Sequence, residues 1–181
     1  LLDTGARFTH TLLSNPSHID FRRDCVNGGT DCNTGTGLNP NDTFWNHGTC
    51  SAAILVGNAN QGNDYRGVTA ITLDSWQIYT NAGLDVAAAI RGFQRAVAVL
   101  DRVIVAEIQG QGDHFSALAQ AADAAFDAGA VVIAANGNFG PNASTVRCPA
   151  NAHRVIGVGD VDVQTLDQVT GQGRGPTADS R

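Results

Sequence analysis

FSALAQAADAAFDAGAVVIAANGN, Phe115 to Asn138, decides the architecture. Its first part, residues 115–128, is rich in alanine, the best helix former, and the run stops at Gly129, a residue suited to ending a helix. AVVIAAN, residues 130–136, follows. It is apolar, partly β-branched and of strand length, the pattern of a strand buried on both faces. Gly137 and Asn138 then make a polar turn. A helix leading into a buried strand that ends in a polar turn is the repeating unit of an α/β protein.

The same alternation extends in both directions. LDVAAAIRGFQRAVAV, residues 84–99, spaces its apolar side chains by three and four and predicts a helix. RVIVAEI, residues 102–108, and HRVIGVGDV, residues 153–161, predict further strands, and VTAITLDSWQIY, residues 68–79, contains another. Residues 47–56 form a small-residue helix, and LLDTG, residues 1–5, opens on a strand end. Residues 13–43 are dense in Asn, Gly, Asp and Thr and are expected to be an irregular surface excursion with room for a short hairpin. Strands of about five residues between longer helices predict an α/β, three-layer fold with a mostly parallel central sheet.

With 181 residues, 43% hydrophobic and 15% charged, the chain has enough apolar material for one core. Its net charge of -6 argues against nucleic acid, whose phosphates need a cationic surface. All 11 basic residues are arginine. No stretch reads as a membrane span or a signal peptide. The chain starts inside an apolar phrase, which suggests that a preceding segment is absent.

Cys25 and Cys32 bracket CVNGGTDC, a short polar loop that suits a disulfide in an oxidising compartment. A metal reading fails because no second close cysteine pair or nearby histidine completes four ligands. Asn41-Asp42-Thr43 and Asn142-Ala143-Ser144 are formal glycosylation sequons.

In a parallel sheet, function gathers at the strand ends. There the chain places Asp3, directly after LL; His47, at the mouth of WNHGTCSAAILVG, residues 45–57; and Asn138, after AVVIAAN. Taken singly, an aspartate before Thr-Gly is a turn cap and an asparagine beside glycine is a turn residue. Together they make a chemical proposal: a carboxylate to orient an imidazole, the imidazole as general base, and an amide to meet a developing oxyanion.

LLDTG, NHGTCSAAI and VVIAANGNFGP, in that order, resemble the Asp, His and oxyanion-asparagine blocks of the subtilisin-like serine proteases. YRGVTAI, STVRCPANAHRVIGVGDVD and GRGPTADSR resemble later stretches of that family, so the resemblance covers nearly the whole chain. It implies a secreted serine endopeptidase with Asp3, His47 and Asn138 in the catalytic roles. It also implies that residues 1–181 are a portion of a single catalytic domain, truncated at both ends. The chain departs from the family in lacking the Gly-Thr-Ser block of the nucleophile. Thr177 and Ser180 lie in a loop phrase with no helix after them. The serine is therefore expected beyond Arg181, on a C-terminal fragment or a second chain.

Cys50, three residues after His47, is a rival nucleophile in type, but no third group orients the pair. A buried free thiol or a bridge from Cys50 to Cys148 is the alternative. The resemblance implies a polypeptide substrate lying as an added strand between Gly83-Leu84-Asp85 and Glu107-Ile108-Gln109-Gly110. The bulk of Gln109 and the charge of Glu107 depart from the small residues usual there and would reshape the primary pocket, with Arg147 available to neutralise Glu107. No cofactor is required for the chemistry. GNANQGND, residues 57–64, resembles a calcium loop, with Asn58, Asn60 and Asp64 as oxygen donors for a structural calcium. The helper aspartate usual in the family is replaced by Leu12. Two other classes compete. A dinucleotide-binding domain lacks its glycine fingerprint at the first strand turn. A catalytically inactive peptide- or protein-binding scaffold of the same fold stays open, since fold does not fix function.

Overall fold

The computed structural model describes residues 1–14, 17–33, 42, 45–58 and 65–181. The chain divides into two compact units, Leu1–Ala96 and Val97–Arg181. Its fold class is α/β with mostly parallel strands: three in each unit, plus one short antiparallel hairpin.

In the first unit, β1 (Leu2–Asp3), β2 (Ile19–Asp24) and β3 (Leu73–Gln77) run parallel, with β3 bonded to both of the others. The register pairs Leu2 with Trp76 and Asp3 with Gln77 on one side of β3, and Asp24 with Gln77 on the other. The polar end of β1 is thereby fixed level with the ends of its neighbours. α1 (His47–Val56) packs on β1 through Ala52, Ala53 and Val56, small enough for close approach. β4 (Tyr79–Thr80) and β5 (Gly83–Leu84) form the hairpin. α2 (Val86–Ala98) then buries Ala88, Ala89, Gly92, Phe93 and Ala96, the stripe expected of period 3.6. At Gly92 a Cβ would sit 3.1 Å from Leu2 Cδ2 and 3.2 Å from Ile78 Cγ2, so the missing side chain sets how closely α2 approaches. Trp76 and Phe93 are fully buried, and each contributes about 1.5–3 kcal/mol by leaving water.

β2 corrects the expectation of an irregular excursion over residues 13–43. Its sequence, IDFRRD, holds four charges, and only Asp24 is buried. β2 bonds to β3, and the surface of the strand is covered by its own arginines: Arg22 lies over the Phe8 ring at 3.7 Å and Arg23 over Phe21 at 4.7 Å. Phe21 in turn meets Trp76 edge-on at 5.3 Å. The Cys25–Cys32 disulfide follows at once. Two guanidinium nitrogens of Arg91, on α2, donate to Cys25 O at 3.1 and 2.6 Å and tie the bridged loop to the helix.

In the second unit, β6 (Val103–Ala106), β7 (Val131–Ala135) and β8 (Ile156–Val158) are parallel, with β7 bonded to both. α3 (Ala117–Asp127) packs on β7 through Leu118, Ala119, Ala122 and Ala125. Its N-cap is Ser116, whose hydroxyl accepts from Ala119 N, and the chain leaves it through Gly129 at φ 99°.

Candidate active site

Asp3 ends β1 and is fully buried. A carboxylate out of water must be paired, and this one is: Thr4 N donates to Oδ1 at 2.6 Å, and His47 Nδ1 lies 2.8 Å from Oδ1 and 3.0 Å from Oδ2. Since a carboxylate only accepts, the contact places the ring proton on Nδ1 and leaves Nε2 as the basic nitrogen of the neutral imidazole. The imidazole side chain is 58% exposed, so a buried orienting group serves a ring that reaches solvent.

Both partners are positioned by a network that the sequence did not disclose. Asn46, which precedes α1, has φ 56° and makes no side-chain cap. The first turn is held from elsewhere. Gly48 N donates to Thr4 Oγ1, and Thr49 N donates to Asp42 Oδ2, each at 2.8 Å. Asp42, only 2% exposed, also accepts from Thr4 Oγ1 and Thr49 Oγ1, both at 2.8 Å. Arg7 N completes the set by donating to Thr49 Oγ1 at 3.0 Å. A negative charge here also faces the positive end of the α1 dipole. Gly48 permits the close approach: a Cβ would lie 2.1 Å from Gly5 O and 3.0 Å from both Cβ and Cγ of Asp3. The signal in the sequence was the pair of threonines, in DTG and HGT, each needing a partner.

In the second unit, Asn138 is exposed in the turn after β7. Its main-chain N donates to Gln109 Oε1 at 2.9 Å, so the side chain expected to alter a pocket holds the asparagine turn. Gly137 sits at φ 89°, where a Cβ would meet Arg147 Cγ at 2.7 Å. The Arg147 guanidinium stacks on Phe139 at 3.7 Å. Of the segment Glu107 to Gly110, Ile108 is fully buried, and Gly110 exchanges both main-chain bonds with Cys148, at 2.8 and 3.1 Å. Gly83 and Leu84 pair with Thr80 and Tyr79 in the hairpin, and Asp85 caps α2 by accepting from Ala88 N at 2.9 Å.

The cysteines divide as follows. Cys25 and Cys32 are bridged, with Cα atoms 4.1 Å apart. Cys50 and Cys148 are both free, which overturns the bridge between them, and Cys50 is exposed rather than buried. Cys148 is committed locally: its Sγ lies 3.2 Å from Ser116 Oγ, and its main chain is held by Gly110. Burial pushes its thiol pKa up, with Asp113 and Asp123 adding to the shift and the Ser116 bond opposing it. Of the candidate calcium donors, Asn60 and Asp64 lie outside the described residues, as do Asn41 and Thr43 of the first sequon. Among the described residues no helix is long and apolar enough to cross a membrane.

The subtilase family model matches residues 1–181. Several solved structures share the fold. S41 psychrophilic protease is 23% identical with a TM-score of 0.71, over 96% of this chain and 57% of that one. Sphericase is 21% identical with a TM-score of 0.73, over 96% and 58%. The epidermin leader peptide processing serine protease from Staphylococcus aureus is 19% identical with a TM-score of 0.72, over 95% and 48%. The chain thus spans about half to three-fifths of the length of these proteins.

Proposed function

The chain belongs to the subtilase family, and from that premise we propose that it serves a serine endopeptidase that cleaves peptide bonds through an acyl-enzyme. Asp3 holds the His47 Nδ1 proton, and Nε2 takes the proton of a serine hydroxyl as that oxygen attacks the scissile carbonyl. Asp3 stabilises the imidazolium that results. The Asn138 amide donates to the oxyanion of the tetrahedral intermediate, and His47 returns its proton to the leaving amine. The serine lies outside residues 1–181, which hold no Gly-Thr-Ser block. The substrate is an extended polypeptide lying along Gly83-Leu84-Asp85 and Glu107-Ile108-Gln109-Gly110. The Cys25–Cys32 disulfide supports secretion into an oxidising compartment.

One observation carries this reading: the two-point contact of His47 Nδ1 with a fully buried Asp3 carboxylate. The test is labelling of the complete protein with a fluorophosphonate. The label should fall on a serine outside residues 1–181, and His47→Ala should abolish both labelling and peptide cleavage. Asn138→Ala should cost about 3 kcal/mol of transition-state stabilisation, read from kcat. Labelling at Ser180 or Cys50 would overturn the assignment of roles. A complete protein that binds peptides yet takes no label would favour an inactive binding scaffold.

A further inference from the structure

Away from these residues, within the second unit, three polar side chains from three separate segments converge. His114 sits in the turn before α3, where Asp113 Oδ1 accepts from Phe115 N at 2.9 Å. His153 lies in the turn before β8, where Asp123 on α3 accepts from His153 N at 3.3 Å and from Arg154 N at 2.7 Å. Asp179 belongs to the turn of residues 177–181. The two imidazole rings lie 4.7 Å apart, tilted by 38°. His114 Nδ1 is 3.9 Å from Asp179 Oδ1, and His153 Nε2 is 3.5 Å from Asp179 Oδ2. All three donor atoms lie within 4.8 Å of one another.

These separations are too long for good hydrogen bonds. They are close to those of ligands around a common centre. Zinc bonds to nitrogen and oxygen of about 2.0–2.1 Å, in a tetrahedron, set the ligand atoms about 3.4 Å apart. The two nitrogen-to-carboxylate separations, 3.9 and 3.5 Å, already lie within about 0.5 Å of that spacing. Two imidazoles and one carboxylate are a borderline donor set that suits zinc better than calcium, which prefers oxygen alone.

We propose that His114 Nδ1, His153 Nε2 and the Asp179 carboxylate form a zinc site, with water completing the tetrahedron. Burial and support are graded as such a site needs. The His114 side chain is 9% exposed, that of Asp179 is 23% and that of His153 is 51%, so one ligand is anchored and another stands open to solvent for entry of the ion. The carboxylate is held by its own partners: Thr177 Oγ1 donates to Oδ1, and Arg181 Nε donates to Oδ2 at 2.6 Å. Those bonds keep its carboxyl well below the usual carboxylate range, hence ionised. Each oxygen retains a further lone pair for the ion. The same guanidinium reaches back to Ala152 O at 3.0 Å and Asn151 O at 2.8 Å, beside His153, so Arg181 already draws two of the ligand segments together. The adjacent positive charge of Arg181 weakens the site. A bound ion would staple the segments before α3, before β8 and at residues 177–181.

This proposal is independent of the protease reading, and its test reads metal binding alone. The complete, tag-free protein is stripped with chelator and titrated with zinc at pH 7.5 against a competing indicator. One zinc per chain is expected, with a rise in Tm of about 5 °C or more at a hundredfold excess over the dissociation constant. His153→Ala and Asp179→Asn, at the more exposed positions, should each weaken binding at least tenfold and remove the Tm shift while leaving the metal-free protein folded. Substitution by cobalt should give the visible bands of a tetrahedral centre. Failure of the wild type to bind zinc at 100-fold the protein concentration would overturn the site, as would unchanged affinity in both variants.

Discussion

Two helices of this protein begin in opposite ways. α3 is capped by the residue directly before it: the Ser116 hydroxyl accepts from Ala119 N, three residues on. α1 has no such cap. Asn46 offers no side-chain bond, and the free amides of the first turn are met by Thr4 and Asp42, which reach them from outside the helix. The local arrangement can form as soon as the helix does. The distant one needs β1 and α1 already in place, and the same threonine and aspartate that satisfy the helix also fix Asp3 against His47. A helix that presents the proposed general base in its first turn thus borrows its cap from the structure it must be aligned with.

The sharpest way to break this contrast is at the partner of His47. Asp3→Asn should lower kcat of the complete enzyme by about 10⁴, because an amide in place of the carboxylate favours the wrong ring tautomer. Circular dichroism and Tm should stay near those of the parent. A loss below tenfold would mean that the α1 mouth does not perform the chemistry. Next comes Asp42→Ala. It strands Thr49 N and two hydroxyls in a buried place and should cost about 3 kcal/mol in denaturant unfolding, with a fall in kcat as α1 loses its alignment. Asp42→Asn, which keeps an acceptor, should cost less. Ser116→Ala should cost about 1 kcal/mol and leave kcat alone. Equal costs at Asp42 and Ser116 would erase the distinction between borrowed and local caps. The smallest effect separates the two free thiols. A raised pKa means less thiolate at any given pH, so iodoacetamide at pH 8 should alkylate Cys50 well before Cys148. Equal rates would show that Cys148 is not enclosed.

What could be read from the sequence follows the same line. α2, α3, β6 and β7 announce themselves because their signals are local: apolar spacing, alanine runs, a serine before a helix and a glycine after it. Asp3, His47 and Asn138 were legible as polar residues at the ends of such elements. β2 was hidden because its pairing, not its composition, makes it a strand: IDFRRD has no apolar run, and its order comes from β3. Asp42 was hidden for a related reason. It stands 38 residues from Thr4, in a phrase of Asn, Asp and Thr that has the composition of any surface turn. Asp85 carries a second, local signal: an aspartate before VAAAI is also a plain helix cap, and its carboxylate accepts from Ala88 N. Cys50 and Cys148 could be weighed as a pair only by position along the chain, while their environments in space decide against it.

Gly48 has a consequence for how the protein can change over generations. The mouth of α1 rests main chain to main chain on Gly5 and on the base of Asp3, with no side chain between them. The separation of Asp3 and His47 is therefore gauged by peptide backbone, whose dimensions mutation cannot alter. The apolar residues around it, such as Leu2, Ala52 and Val56, can drift in size, and the expected toll is on melting temperature long before it reaches the Asp3–His47 contact. A lineage can then retune its thermal range by substituting its core while inheriting the dyad unchanged.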